Sequence, residues 1–221
     1  MKLSRNSVSD APGLRERNKL DKLRRIQAAA RQLFTERGYD RATTRAIARR
    51  AGVGLGTLFN YAGDKRDLVF LIFIEELDHL ADRAFASVDR RAPLLEQLTA
   101  AFAHYYHAFG ANTRLARILL QELTFYSSGR LAADFQRSRR RTVGFIERLI
   151  VRARQDGRVR RDIDAAAAAL SVFFLYAGAV RWWIARDRSR PARGIAELRK
   201  LLGLHIAGLV PRSPRSRTSW R

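Results

Sequence analysis

The chain has 221 residues, 47% of them hydrophobic, with 43 Lys and Arg against 21 Asp and Glu and a formal net charge of +22. Such a length and composition suit one compact domain or two small ones with a real core, and exclude a collagenous or wholly disordered chain. The charge favours polyanionic partners without specifying a sequence, and the absence of cysteine excludes disulfides, thiol catalysis and thiolate metal sites while fitting a reducing compartment.

Residues 1–18 are polar and basic, contain Pro12 and Gly13, and lack the continuous apolar run of a signal peptide, so they read as a flexible tail on a cytoplasmic protein. Beyond them the hydrophobic period is helical almost throughout, and no alternating strand pattern appears. The first helix, "KLRRIQAAARQLFTERG", places Leu23, Ile26, Ala30, Leu33 and Phe34 on one face and meets a stop at Gly38. A short second helix follows Thr43, whose hydroxyl can cap it, and buries Ile47, Ala48 and Ala51. Gly52-Val53-Gly54 breaks it, and a third helix runs from about Leu55 to Tyr61. Asp64, with Asp67 three residues on, caps a fourth helix that is apolar on nearly every side through "LVFLIFI" and so is expected between two packed layers.

Five further helices are expected. One starts at Pro93 with Leu95, Leu98, Phe102, Tyr105 and Phe109 in register, two span "TRLARILLQELTFY" and "LAADFQRSRRRTVGFIERLIVRARQDG", a long apolar one follows Asp164, and the last runs from about Ala192 to Leu209. The run "AAAAALSVFFLYAGAV" falls short of a bilayer span and ends at Arg181, which favours a buried core helix. The end, "PRSPRSRTSWR", reads as disordered. The fold class is therefore all-α. A helix-turn-helix unit occupies 19–66, a larger helical unit 67–210, and tails lie at 1–18 and 211–221.

The helix, glycine turn and helix of "AGVGLGTLFNYAGDKRDL" give the segment its meaning. Ala48 and Ala51 let two helices cross closely, Gly52 supplies the turn, and Val53 and Leu58 fill the small core beneath it. The second helix of such a pair enters the DNA major groove while its flanks hold phosphate. Thr57 and Asn60 then face base edges, and Asn can pair bidentately with adenine. Tyr61 and Lys65 are placed to hold phosphate, as are Thr43, Thr44 and Arg45 at a helix N-terminus, with Arg24 and Arg25 adding non-specific grip. Leu55 and Gly56 complete the candidate set, Leu55 facing a thymine methyl group.

The stretch "RRIQAAARQLFTERGYDRATTRAIARRAGVGLGTLFNYAGDKRDLV" resembles the N-terminal DNA-binding domain of the TetR family of bacterial transcriptional regulators. That resemblance covers roughly residues 22 to 70. It implies an all-helical homodimer, a ligand-binding C-terminal domain, and usually repression of nearby genes from a palindromic operator. The chain departs from the family pattern at Gly54, where Ser or Thr is common, at Leu55, often Lys, at Phe59, often Tyr, and at Ala62-Gly63, which replaces a frequent Phe-Pro.

In the C-terminal unit Phe102, Tyr105, Tyr106, Phe109, Phe125, Tyr126, Phe173 and Tyr176, with Phe174 beside them, form an aromatic group able to line a cavity for a small apolar or aromatic effector, or simply to pack. The seam Leu198, Leu202, His205 and Leu209, with Trp182 and Trp183, suits a helix pair packing against its symmetry mate, as the resemblance implies; intrachain packing is the other reading. His104 and His107 stand three residues apart but lack acidic or Cys companions, so neither a metal nor a cofactor is expected. Arg137 to Arg141 read as a solvated face. The fourth helix, joining the two units, is the expected transmitter between ligand and DNA.

The resulting expectation is a ligand-responsive repressor that binds double-stranded DNA as a homodimer, with no membrane partner. The alternative is a charge-driven, nucleoid-like DNA binder without sequence preference. No hydrolase elbow, phosphate loop or metal set supports an enzyme.

Overall fold

The computed structural model describes residues 13–123, 126–186 and 189–210, and among these every regular element is a helix. Both tails expected from the sequence fall largely outside the described residues, although 14–18 already belong to the first helix. The order is α1 (Leu14–Arg41), α2 (Thr44–Arg50), α3 (Leu55–Phe59), α4 (Lys65–Ala86), α5 (Leu94–Ala111), α6 (Thr113–Glu122), α7 (Ala132–Gln155), α8 (Ala165–Ile184) and α9 (Pro191–Ala207).

Local chemistry sets these boundaries. The Thr43 hydroxyl accepts the Ala46 amide at 3.1 Å and starts α2. Asp64 accepts the Asp67 amide at 2.7 Å and starts α4, while the Asp67 carboxylate reaches back to the Gly63 amide at 2.8 Å, so the cap is reciprocal but offset by one residue. Asp164 accepts from Ala166 and Ala167 at the head of α8. Helix α1 is interrupted at Gly38, whose φ of 78° ends the regular run where the sequence placed its stop. Gly52 turns the chain between α2 and α3 at φ 63°, where an L side chain is strained.

Ile26, Ala29, Ala30, Leu33 and Phe34 of α1 pack with Ile47, Ala48, Ala51 and Leu58 to form the small core under the turn. In α4, Leu68 to Phe73 are six consecutive buried residues, as expected of a helix lying between layers. Each such burial contributes about 1.5–3 kcal/mol of hydrophobic stabilisation. On one side α4 meets α1, and on the other α5, α6 and α7.

The larger unit pairs α5 with α9 and α7 with α8, while α8 also packs on α9. Here the seam of α9 finds its partner within the same chain. Leu198, Leu202 and Leu209 are buried, and Trp183 is buried with them, donating its indole N–H to the Arg190 carbonyl at 3.0 Å. Four of the six expected interface residues are therefore internal, because the 3,4 repeat of α9 matches the apolar face of its neighbour α5. Of the remaining two, His205 is half-buried and Trp182 is exposed.

Helix α8 is only in part the buried core helix expected. By length and composition it could cross a membrane, yet it is split, with Val172, Tyr176, Val180 and Trp183 turned inward and Leu170, Phe174 and Trp182 outward. Leu201 and Leu204 of α9 extend that outward apolar strip, with Leu204 at 76% exposure.

Replacing Gly52 by alanine is expected to lower unfolding stability by about 1–2 kcal/mol, the penalty of an L residue in left-handed geometry. Urea melts of the variant and the parent chain measure it, and an unchanged midpoint would show that the turn relaxes.

Candidate functional site

The structure presents two candidate sites, an exposed reading edge on α2 and α3 and a cavity in the larger unit. On the reading edge Thr43, Arg45, Gly56 and Asn60 are exposed, and Thr44, Leu55 and Thr57 are half-exposed. Helix α3 carries no charged side chain, so positive charge on this edge comes from its flanks. Arg24 of α1 and Arg45 and Arg49 of α2 are exposed there. Phe59 is 38% exposed, a large ring beside Asn60.

Three expected phosphate grips are engaged within the chain. The Tyr61 hydroxyl donates to the Lys19 carbonyl at 3.1 Å. The Lys65 ammonium donates to the carbonyls of Tyr39 at 3.0 Å and Asp40 at 3.4 Å and lies over the Tyr39 ring. Arg25 pairs with Asp21 at 3.0 Å and donates to the Ala51 carbonyl at 3.2 Å. Lys65 and Tyr61 thus fasten α1 to the reading unit, a role that a one-dimensional motif does not distinguish from phosphate contact.

Behind the reading edge lies a polar joint that sequence reasoning missed. Asp67 is buried at 3% exposure, and its carboxylate accepts from the Tyr126 hydroxyl at 2.5 Å, the Gly63 amide at 2.8 Å and, more weakly, the Arg130 amide at 3.4 Å. Burial and the Asp67 carboxylate together push the Tyr126 phenol up, so it stays a neutral donor. The Tyr126 ring stacks on Phe70 with centroids 3.6 Å apart, and the Arg66 guanidinium lies over the Tyr126 ring at 5.2 Å from its centroid. Gly129 permits this approach, since a Cβ there would stand 2.6 Å from the Tyr126 hydroxyl and 2.7 Å from Asp67. From the same loop the Arg130 guanidinium donates to the Asn60 carbonyl at the end of α3.

Helix α6 is strapped to the reading unit at both ends. Arg114 donates to the Thr35 carbonyl at 2.7 Å and Asn112 to the Thr35 hydroxyl at 3.2 Å, while Glu122 pairs with Arg66 at 3.1 Å. Toward its C-terminal end Leu119, Leu120 and Leu123 line a cavity of about 280 Å³ bordered also by α5, α7, α8 and Leu77 of α4.

Of the aromatic group expected there, Tyr105, Phe109, Phe173 and Tyr176 line the cavity, as does Phe174. Three do not. Phe102 stacks on Tyr176 within the core, Tyr106 packs against Trp183 with its hydroxyl buried and without a hydrogen-bond partner among the described residues, and Tyr126 belongs to the Asp67 joint. Phe125 lies outside the described residues. Burial pushes the phenols of Tyr105 and Tyr176 up, which keeps both neutral. Arg139, expected on a solvated face, instead lines the cavity, as does Arg181. His104 contacts the Ser87 hydroxyl at 2.9 Å, and among the described residues no group of three or more potential metal ligands occurs.

Comparison with known proteins places this architecture. Residues 26–72 match the profile of bacterial regulatory proteins of the tetR family, and residues 91–192 that of a tetracyclin repressor-like C-terminal domain. The HTH-type transcriptional regulator HbdR of Aromatoleum sp. (strain CIB) is 30% identical over 176 residues, covering 78% of this chain and 75% of that protein. The fatty acid metabolism regulator protein of Bacillus subtilis (strain 168) is 22% identical over 87% of this chain and 98% of its own length. Among solved structures, FadR from Bacillus subtilis with stearoyl-CoA superposes with a TM-score of 0.68 at 22% identity, covering 84% of this chain and 98% of that one. Thermus thermophilus FadR with lauroyl-CoA gives 0.68 at 22% identity, over 89% and 100%.

Tyr126→Phe is expected to destabilise the chain by about 1.5–3 kcal/mol, the range for a hydrogen bond to a charged group, because Asp67 stays buried with one donor fewer. Equilibrium urea unfolding tests this. A loss below the scatter of the measurement would mean that water replaces the hydroxyl.

Proposed function

We infer how this protein works from the family to which the chain belongs, the TetR family of bacterial transcriptional regulators. It is a ligand-responsive, DNA-binding transcriptional regulator. In the proposed mechanism it is a cytoplasmic repressor that binds a palindromic operator as a homodimer and leaves it when a small effector enters the cavity. The observation that carries this reading is α6, with the cavity on one face and the reading unit fastened to both ends.

The reading edge is proposed to contact DNA through Thr57 and Asn60 at base edges, with Leu55 and Phe59 against thymine methyl groups. Thr43, Thr44, Arg45 and Arg49 approach phosphate, and Gly56 leaves room for the backbone to come close. The dimer is proposed to form through the outward strip of Leu170, Phe174, Trp182, Leu201 and Leu204, which leaves a broad apolar face when the chain stands alone. Two copies related by a two-fold axis bury that strip isologously. Their recognition helices can then meet half-sites about 34–36 Å apart or a multiple of that spacing.

Effector and DNA are coupled only to the extent that the effector prefers one arrangement of the heads. A molecule wedged against Leu119, Leu120 and Leu123 displaces α6, which pulls on Thr35 through Arg114 and on α4 through Glu122 and Arg66. The proposed transmitter is therefore α6 acting together with α4, whose Leu77 also borders the cavity. The acyl-CoA ligands of the FadR structures suggest an effector built on an apolar chain.

Selection from a random DNA library with the purified protein tests the reading. A palindrome retained at high salt is the expected result. Enrichment of nothing, with binding lost steeply as salt rises, would favour the charge-driven alternative. On the selected operator Asn60→Ala is expected to cost about 1–3 kcal/mol of discrimination while leaving non-specific affinity nearly unchanged. In sedimentation, Trp182→Glu combined with Phe174→Glu should convert dimer to monomer. In gel shifts, Arg66→Gln should bind effector normally but release DNA poorly.

A further inference from the structure

The cavity wall is mostly apolar, yet two arginines border it, Arg139 from α7 and Arg181 from α8, and among the described residues no Asp or Glu lines it. Their neighbours on α7 are differently placed, since Arg137 pairs with Asp134 and Arg141 with Asp82. Arg181 spends one guanidinium nitrogen on the Ala177 carbonyl at 2.9 Å and turns the other toward the Leu120 carbonyl at 3.5 Å. Arg139 makes no hydrogen bond or ion pair with the described residues. Burial, with the positive charge of Arg139 acting in the same direction, pulls the pKa of Arg181 down.

Two like charges bordering one mostly apolar space repel, and a guanidinium without a carboxylate there is costly. The same arrangement becomes favourable once a planar anion accepts from both forks. The geometry points to an effector that is an anion on an apolar body, its carboxylate or phosphate held between Arg139 and Arg181 and its hydrocarbon or ring among Tyr105, Phe109, Phe173 and Tyr176. This rests on the reading of the cavity as the effector site. The neutral phenols of Tyr105 and Tyr176 add donors and no competing negative charge. Two chemical sources carry such an anion, a free carboxylic acid and the phosphates of a thioester carrier.

Calorimetric titration of the full-length dimer with decanoate, decanol and decanoyl-CoA tests the assignment. Decanoate or decanoyl-CoA should bind at least about tenfold more tightly than decanol, as expected for hydrogen bonds to a charged group. Arg139→Gln should remove that advantage while leaving decanol affinity unchanged, and Arg140→Gln, exposed on the same helix, should change nothing. Arg181→Lys should weaken anion binding with the fold intact by circular dichroism. Binding of decanoate assigns the carboxylate, and binding of decanoyl-CoA alone assigns the phosphate. Decanol binding as tightly as both anions, no binding by either anion, or an Arg139→Gln variant that keeps the preference overturns it. Gel shifts on the selected operator separate the two levels. Anions that bind without releasing DNA defeat the coupling and leave the anion site standing. Release by neutral apolar molecules, with anions inert, does the reverse.

Discussion

The buried carboxylate of Asp67 is the constraint on which the joint between the two units depends. At 3% exposure it must be answered by donors, and those donors come from both sides, the Gly63 amide before α4 and the Tyr126 hydroxyl and Arg130 amide after α6. Meeting that demand closes the turn behind α3, stacks Tyr126 on Phe70, and brings Arg130 to the Asn60 carbonyl. Removing any one donor leaves the buried carboxylate under-satisfied, so the joint favours a single arrangement rather than a loose hinge.

Helix α8 shows how one element serves two ends. Its inward side supplies Tyr176 to the cavity and Trp183 to the packing against α9, and its outward side supplies Phe174 and Trp182 to the proposed dimer. Phe174 borders both spaces. In the proposed dimer, a ligand in the cavity and a partner on that face would meet the same ring, a short route of communication between protomers.

The helices and much of the small unit were legible in the sequence, because caps and periodicity are local. Thr43, Asp64 and Asp164 announce helix starts by residue type, and Gly52 announces the turn. Partner choice was not legible. The 3,4 repeat of α9 describes an apolar face equally well whether α5 or a second chain covers it. Lys65 and Tyr61 carry the right groups for phosphate, but the carbonyls they meet on α1 lie 25 and 42 residues away in sequence. Arg139 sits in a run of arginines whose composition says solvent, and only the packing of α7 separates it from Arg137 and Arg140. Asp67 read as a cap partner, and its second partner, Tyr126, is 59 residues distant.

The uncharged α3 has an evolutionary corollary. With base reading on the uncharged α3 and phosphate contact on its flanks, as proposed, substitutions on α3 would alter which bases are preferred while Arg24, Arg45 and Arg49 kept the complex formed. Duplicated copies of such a gene can thus drift to new target sites through intermediates that still bind DNA. An arginine on the reading helix would tie the two properties together and make that path steeper.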